Sequence, residues 1–115
     1  MKTLYLDCFC GISGDMTVGA LLDAGASSDT IIAAVNNLGL DGIAVSVESV
    51  SKSGIKATKF NVDVDPEIHQ PHRHLPDILN IIDAANIPNP VKKKAVHTFT
   101  LLGNAEAQVH GVPVE

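Results

Sequence analysis

Residues 43–65 read IAVSVESVSKSGIKATKFNVDVD, and their apolar side chains recur at every second position. On either side of the turn-forming residues 51–54, the apolar positions are Ile43, Val45 and Val47, and then Phe60, Val62 and Val64. The positions between them are mostly small, polar or charged. A period of two is typical of a β-strand with one buried face. The segment therefore predicts an antiparallel hairpin whose other face contacts solvent.

Helical patterns lie on both sides of this hairpin. Residues 14–25 and 28–38 predict two helices before it, and residues 75–85 and 90–110 predict two more after it. Residues 3–6 are a short β-prone run and predict an N-terminal strand. Together these elements predict an α+β fold. Its small, mainly antiparallel sheet consists of the N-terminal strand and the hairpin, and about four helices cover it.

The length of the chain predicts one domain, residues 1–115, large enough to bury a core without disulfides or a structural metal. The last five residues, GVPVE, resemble a helix exit that leads into a further strand. We therefore expect the chain to be the N-terminal fragment of a longer protein.

Charge and cysteine content exclude several classes of protein. The formal net charge of −5 argues against a nucleic-acid-binding protein, which normally has a basic face. No apolar run is long enough for a membrane span, and no signal peptide is present. Cys8 and Cys10 are too close in sequence for an unstrained disulfide, which indicates a reducing, cytoplasmic environment.

The stretch DCFCGISGDM, which begins at Asp7, links the predicted N-terminal strand to the first helix. Gly11 and Gly14 allow backbone amides to line a concavity, and the Ser13 hydroxyl adds a donor, so an anion could bind there. Asp7 and Asp15 add carboxylates, which favours a phosphate bound together with a divalent cation. The alternative is structural: Asp15 stabilises the helix N-terminus and the glycines form a tight turn.

Histidines suggest a possible metal site in the second half of the chain. His69, His72 and His74 lie in a polar connection, and imidazoles suit nickel, copper or zinc. Glu106 and His110 are four residues apart, so they share one face of the last helix. The alternatives are a solvated loop in the first case and a simple Glu–His hydrogen bond in the second.

Three segments resemble the N-terminal part of LarC-type nickel insertion proteins. They are residues 4–16, LYLDCFCGISGDM; residues 72–75, HRHL; and residues 105–115, AEAQVHGVPVE. The resemblance spans essentially the whole chain. One position differs from the expected pattern, because Cys10 stands where a serine is expected.

The resemblance implies a function for the longer protein. This family inserts nickel into pyridinium-3,5-bisthiocarboxylic acid mononucleotide and so completes the nickel-pincer cofactor of lactate racemase. The reaction uses CTP with a divalent ion, Mn or Mg, and the nucleotide site is associated with the C-terminal domain. By this resemblance the chain is part of a cytoplasmic, lyase-class enzyme, with the C-terminal part of the same protein as its partner.

The site residues follow from this chemistry as hypotheses. We expect catalytic roles for Asp7, Cys8 and Asp15, and binding of the mononucleotide phosphate by Gly11, Ser13 and Gly14. The predicted nickel ligands are His69, His72, His74, Glu106 and His110, because a site that binds and then releases nickel should mix imidazole and carboxylate, with sulfur from Cys8 as a further option. Two alternatives remain open: a nickel-binding metallochaperone, and an oligomerisation module that forms a homo-oligomer without catalysis.

Overall fold

The predicted hairpin is present in the computed structural model, which describes residues 1–114. Its strands are β1 (Ile43–Lys52) and β2 (Ile55–Val64). The helices are α1 (Gly14–Asp23), α2 (Ser28–Asn36), α3 (Leu75–Ala84) and α4 (Asn89–His110). This confirms an α+β fold with four helices. Glu115, the last residue of the closing motif, lies outside the described residues.

The register of the hairpin is set by a two-residue loop. Ser53 and Gly54 have φ angles of 52° and 78°. Positive φ at both loop residues is typical of the tight hairpin turns whose twist matches that of the two flanking strands. The pairing runs from Lys52 opposite Ile55 to Ile43 opposite Val64. All ten residues of each strand are therefore paired.

The first two helices pack on the hairpin, α1 against β2 and α2 against β1. The approach of α1 depends on Gly19, because a Cβ there would lie 2.8 Å from the backbone oxygen of Thr58. A second contact ties the end of the helix to the same strand: the Thr58 hydroxyl donates to Asp23 at 2.8 Å. Phe60 of β2 is buried, with 6% of its surface exposed.

The other two helices, α3 and α4, pack against each other. Ile82 and Ala85 are buried at the end of α3 and just beyond it. The loop that leads into α3 is fixed to the start of the hairpin, since the Gln70 side-chain amide donates to the Asp41 carbonyl at 2.8 Å. No helix in residues 1–114 is both long and apolar enough to cross a bilayer.

The predicted N-terminal strand is wrong. Within the described residues the sheet contains only β1 and β2, and residues 3–6 are extended and exposed. A β-prone run becomes a strand only when a neighbouring strand completes its hydrogen bonds, and no strand of the described chain does so. Tyr5 in this segment is 85% exposed.

Candidate functional site

A cavity of about 610 Å³ lies between α3 and α4 and contains several of the predicted metal ligands. Its polar wall is formed by Arg73, His74, Glu106 and His110. The rest is mainly apolar, and its lining residues are Leu75, Ile78, Phe99, Leu102, Gly103, Ala107, Val112, Pro113 and Val114. The structure thus brings the second predicted pair, Glu106 and His110, close to one member of the histidine loop.

The shape of this cavity follows from local features of α4. Gly103 allows close packing against α3, because a Cβ there would lie 3.1 Å from a methyl group of Leu75. Beyond His110, Gly111 ends the helix with a left-handed φ of 65°, which only glycine adopts readily. The Val112 N–H then donates to the Ala107 carbonyl at 3.1 Å. The chain therefore turns back, and residues 112–114 form part of the cavity wall.

His74 enters the cavity from the beginning of α3. Its backbone N–H donates to Asp77 at 2.9 Å, which fixes the first turn of the helix. Its imidazole stacks on that of His72, with ring centroids 5.5 Å apart. Of the three loop histidines, His74 therefore lines the cavity, His72 lies beside it, and His69 is exposed outside it.

These donors do not form a ready-made metal centre. No group of three or more His, Cys, Asp or Glu side chains in residues 1–114 is arranged so that it could hold a metal ion. His74, Glu106 and His110 share a cavity without converging on one point. The roles of these three residues as nickel ligands remain predictions. Binding of a metal ion in the cavity would require the side chains to move together, or a bound substrate to supply further donor atoms.

The other candidate site, in the segment before α1, has a clear structural role. Gly11, with φ of 82°, closes a tight turn in which its N–H donates to the Cys8 carbonyl at 2.9 Å. Ser13 caps α1, and its hydroxyl accepts from the Met16 N–H at 3.4 Å. The same hydroxyl donates to the Asp15 carboxylate. These contacts correspond to the structural alternative stated above.

The electrostatics of this segment agree with its geometry. The Ser13 hydroxyl, together with the Met16 N–H, holds the pKa of the Asp15 carboxyl below its usual value of 3.8. The Ser13 hydroxyl thus already accepts from the Met16 N–H, an amide at the helix N-terminus that a bound phosphate would need. Asp7 and Cys8 are exposed, and Cys8 is a free thiol. Phosphate binding by Gly11, Ser13 and Gly14 and catalysis by Asp7, Cys8 and Asp15 remain predictions.

Sequence reasoning missed Arg73 and the apolar walls of the cavity. Arg73 stands between two histidines that had been selected as candidate ligands. Its position within the HRHL segment was the only signal available. That it is half-buried in a cavity depends on how the loop lies against α4.

Comparison with known proteins gives the same family for nearly the whole chain. A family model described as nickel insertion protein matches residues 4–115. A relative from Geobacillus kaustophilus (strain HTA426) is named pyridinium-3,5-bisthiocarboxylic acid mononucleotide nickel insertion protein. It is 45% identical over 123 residues, which cover 100% of this chain and 30% of the relative.

Two further relatives carry the same name. The protein of Desulfitobacterium hafniense (strain DSM 10664 / DCB-2) is 45% identical over 115 residues, covering 100% of this chain and 28% of the relative. That of Staphylococcus epidermidis (strain ATCC 12228 / FDA PCI 1200) is 40% identical over 114 residues, covering 99% and 28%. The chain thus spans less than a third of the length of these relatives. No solved structure matches it significantly. The match over residues 4–115 shows that the chain belongs to the nickel insertion protein family.

Proposed function

We propose that this chain is the nickel-delivering N-terminal domain of a protein that inserts nickel into pyridinium-3,5-bisthiocarboxylic acid mononucleotide. The observation that carries the proposal is the cavity between α3 and α4, where His74, Glu106 and His110 face one space of about 610 Å³. Imidazole and carboxylate are suitable ligands for aquated Ni²⁺. The apolar walls beside them suit a planar pyridinium ring.

The loose arrangement of donors fits delivery better than storage. A delivery site must bind nickel weakly enough to transfer it to the substrate. Three donors from two helices, with no preformed cluster among the described residues, meet that requirement. The thiocarboxylate sulfurs of the substrate are softer ligands than imidazole or carboxylate, so they favour transfer of the ion to the product.

The remaining features of the reaction belong to the longer protein. We propose a CTP-dependent, lyase-class reaction in the cytoplasm, with CTP and its Mn or Mg ion bound by the C-terminal part. The free, exposed thiols of Cys8 and Cys10 are consistent with a reducing compartment.

Exposed apolar side chains support contact with the rest of that protein. Tyr5 is 85% exposed and Phe9 is 89% exposed, both in the segment before α1. Leu4, Leu6 and Ile12 of the same segment are also exposed, and apolar side chains that are exposed together mark an interaction surface. The curated relatives are more than three times as long as this chain, and we propose that their additional part covers this segment. A homo-oligomer formed through the same segment is the alternative, and the molecular mass of the isolated chain in solution distinguishes the two.

Equilibrium dialysis against Ni²⁺ tests the cavity directly. The test variant replaces its three donors, His74→Ala, Glu106→Ala and His110→Ala. A matched control replaces two histidines and one glutamate elsewhere, His69→Ala, His97→Ala and Glu67→Ala. We expect the test variant to bind nickel at least about tenfold more weakly and the control to bind as the parent chain does.

The opposite pattern would contradict the proposal. If nickel affinity falls in the control and not in the test variant, the ligands lie outside the cavity. If neither variant changes nickel affinity, none of the six substituted residues binds nickel, and the proposed cavity site is wrong. Circular dichroism of both variants establishes that they retain the helical content of the parent chain.

A further inference from the structure

Arg73 is a cation placed at the edge of an apolar cavity. It is half-buried, lines the α3–α4 cavity, and directly precedes His74. Leu75 and Phe99 line the same cavity. An arginine whose stem lies along apolar surface and whose head group has no carboxylate partner is available to bind an anion.

The hydrogen bonds of this guanidinium are weak. Its two terminal nitrogens, Nη1 and Nη2, lie 3.4 and 3.5 Å from the same oxygen of Gln70, at the long limit for a hydrogen bond. Within residues 1–114 the only ion pair is Lys59–Glu48, so no carboxylate of the described chain pairs with Arg73. Glu106 shares the cavity with Arg73 but does not form an ion pair with it.

The loop holds Arg73 in place without neutralising it. Gln70 accepts from Arg73 and donates through its amide to the Asp41 carbonyl at 2.8 Å. A Cβ at Gly42 would lie 3.2 Å from that same amide nitrogen, which shows how closely the loop fits the start of the hairpin. Gln70 is therefore fixed to the start of the hairpin, while its weak contact with Arg73 leaves the donors of the guanidinium available to a ligand.

We propose that Arg73 binds an oxyanion carried by a planar aromatic ligand in this cavity. A guanidinium presents two parallel donors that match a carboxylate or a phosphate, and apolar surroundings strengthen that interaction. In this proposal the aromatic ring packs on the apolar lining of the cavity, to which Leu75 and Phe99 belong, and the anion binds Arg73. The identity of the natural ligand rests on the proposed function, because the substrate in that function carries thiocarboxylates and a phosphate. The site itself rests on Arg73 alone.

Calorimetric titration without nickel tests the site. The probes are pyridine-3,5-dicarboxylate and, separately, inorganic phosphate. They are titrated into the parent chain, Arg73→Gln, Arg73→Lys and the control Lys94→Gln, which removes one exposed positive charge from α4 outside the cavity. We expect Arg73→Gln to weaken binding of the dicarboxylate by about 10- to 100-fold and Lys94→Gln to leave it unchanged. Arg73→Lys keeps the charge without the paired donors and should fall between them.

Each outcome has one meaning. If phosphate binds and the dicarboxylate does not, with the same dependence on Arg73, the anion on Arg73 is the phosphate group. If neither probe binds the parent chain, if Arg73→Gln binds as well as the parent, or if Lys94→Gln weakens binding equally, the proposal is overturned. Nickel dialysis on Arg73→Gln separates this result from the proposed function, because nickel affinity should be retained when the anion site is lost.

Discussion

Gly19 provides a quantitative test of how α1 packs on the hairpin. A Cβ at this position would lie 2.8 Å from the Thr58 backbone oxygen, about 0.6 Å inside ordinary van der Waals contact. The strand cannot easily yield, because Thr58 is paired with Ser49 across the hairpin. Nor can the helix move away freely, because Asp23 at its end accepts a hydrogen bond from the Thr58 side chain.

Two opposing effects set the magnitude of the change. In a helix interior, replacing glycine by alanine stabilises by about 1 kcal/mol through backbone entropy. Overpacking of a close contact costs about 1–3 kcal/mol, since it forces the backbone to shift. The clash therefore exceeds the helical gain over most of this range. We expect Gly19→Ala to lower the free energy of unfolding by about 1 kcal/mol, which corresponds to roughly 4 °C in the melting temperature.

The matched control is Gly14→Ala in the same helix. A Cβ there has no atom within 4 Å, so this substitution should be neutral or stabilising by up to about 1 kcal/mol. Both variants are compared with the parent chain by urea unfolding, followed by circular dichroism. If Gly19→Ala is as stable as Gly14→Ala, α1 does not approach β2 as closely as described, and the reasoning about this contact is refuted.

Three further predictions concern stability. Ser53→Asn should raise the urea midpoint by an amount corresponding to about 0.5 kcal/mol, because asparagine tolerates the left-handed φ of 52° better than serine does; an unchanged or lower midpoint would contradict the turn geometry. Asp15→Asn should destabilise the chain at pH 7, but not at a pH well below 3.8. The Asp15 pKa is lowered in the folded state, so the ionised carboxylate stabilises the folded chain above pH 3.8, and this stabilisation is lost as the pH falls through the lower folded pKa. Urea midpoints of the parent and the variant at pH 7 and pH 2.5 test this. The same difference in midpoint between parent and variant at both pH values would refute it. Phe60→Ala should lower the free energy of unfolding by about 3 kcal/mol. Val62 lies on the same face but is 50% exposed, so Val62→Ala should lower the free energy of unfolding by about 1 kcal/mol or less. Equal effects of the two substitutions in chemical denaturation would show that the two positions are buried alike.

Local patterns accounted for the elements that form from local interactions. The hairpin was predictable because a period of two and the turn-forming residues 51–54 both act within a few residues, although the structure shortens the turn to Ser53 and Gly54. The local sequence could not show that residues 3–6 do not form a strand, because a strand requires a neighbouring strand that lies elsewhere in the chain. The extent of burial along β2 was also hidden. Phe60, Val62 and Val64 share one face, yet only Phe60 is buried, since the covering helix reaches only that part of the strand.

The candidate site shows the same limit. The placement of Glu106 and His110 on one face of α4 follows from helical spacing alone. The choice of His74 over His69 as their neighbour does not, because it depends on the packing of α3 against α4. The half-buried position of Arg73 depends on a contact between Gln70 and Asp41, 29 residues apart in sequence. Chemistry-bearing residue types were therefore visible in the sequence, and their grouping was not.

The two groups of candidate site residues lie in different structural settings, and this separation has a functional consequence. Ser13 and Asp15 are engaged with the N-terminus of α1, whereas His74, Glu106 and His110 line a cavity in which no described ion pair uses Glu106. A group already committed to a helix cap must break that contact before it binds a ligand, while a cavity donor need not. If the proposed nickel chemistry is correct, the first ligand contacts should therefore be made at the cavity, before any contact at the segment preceding α1.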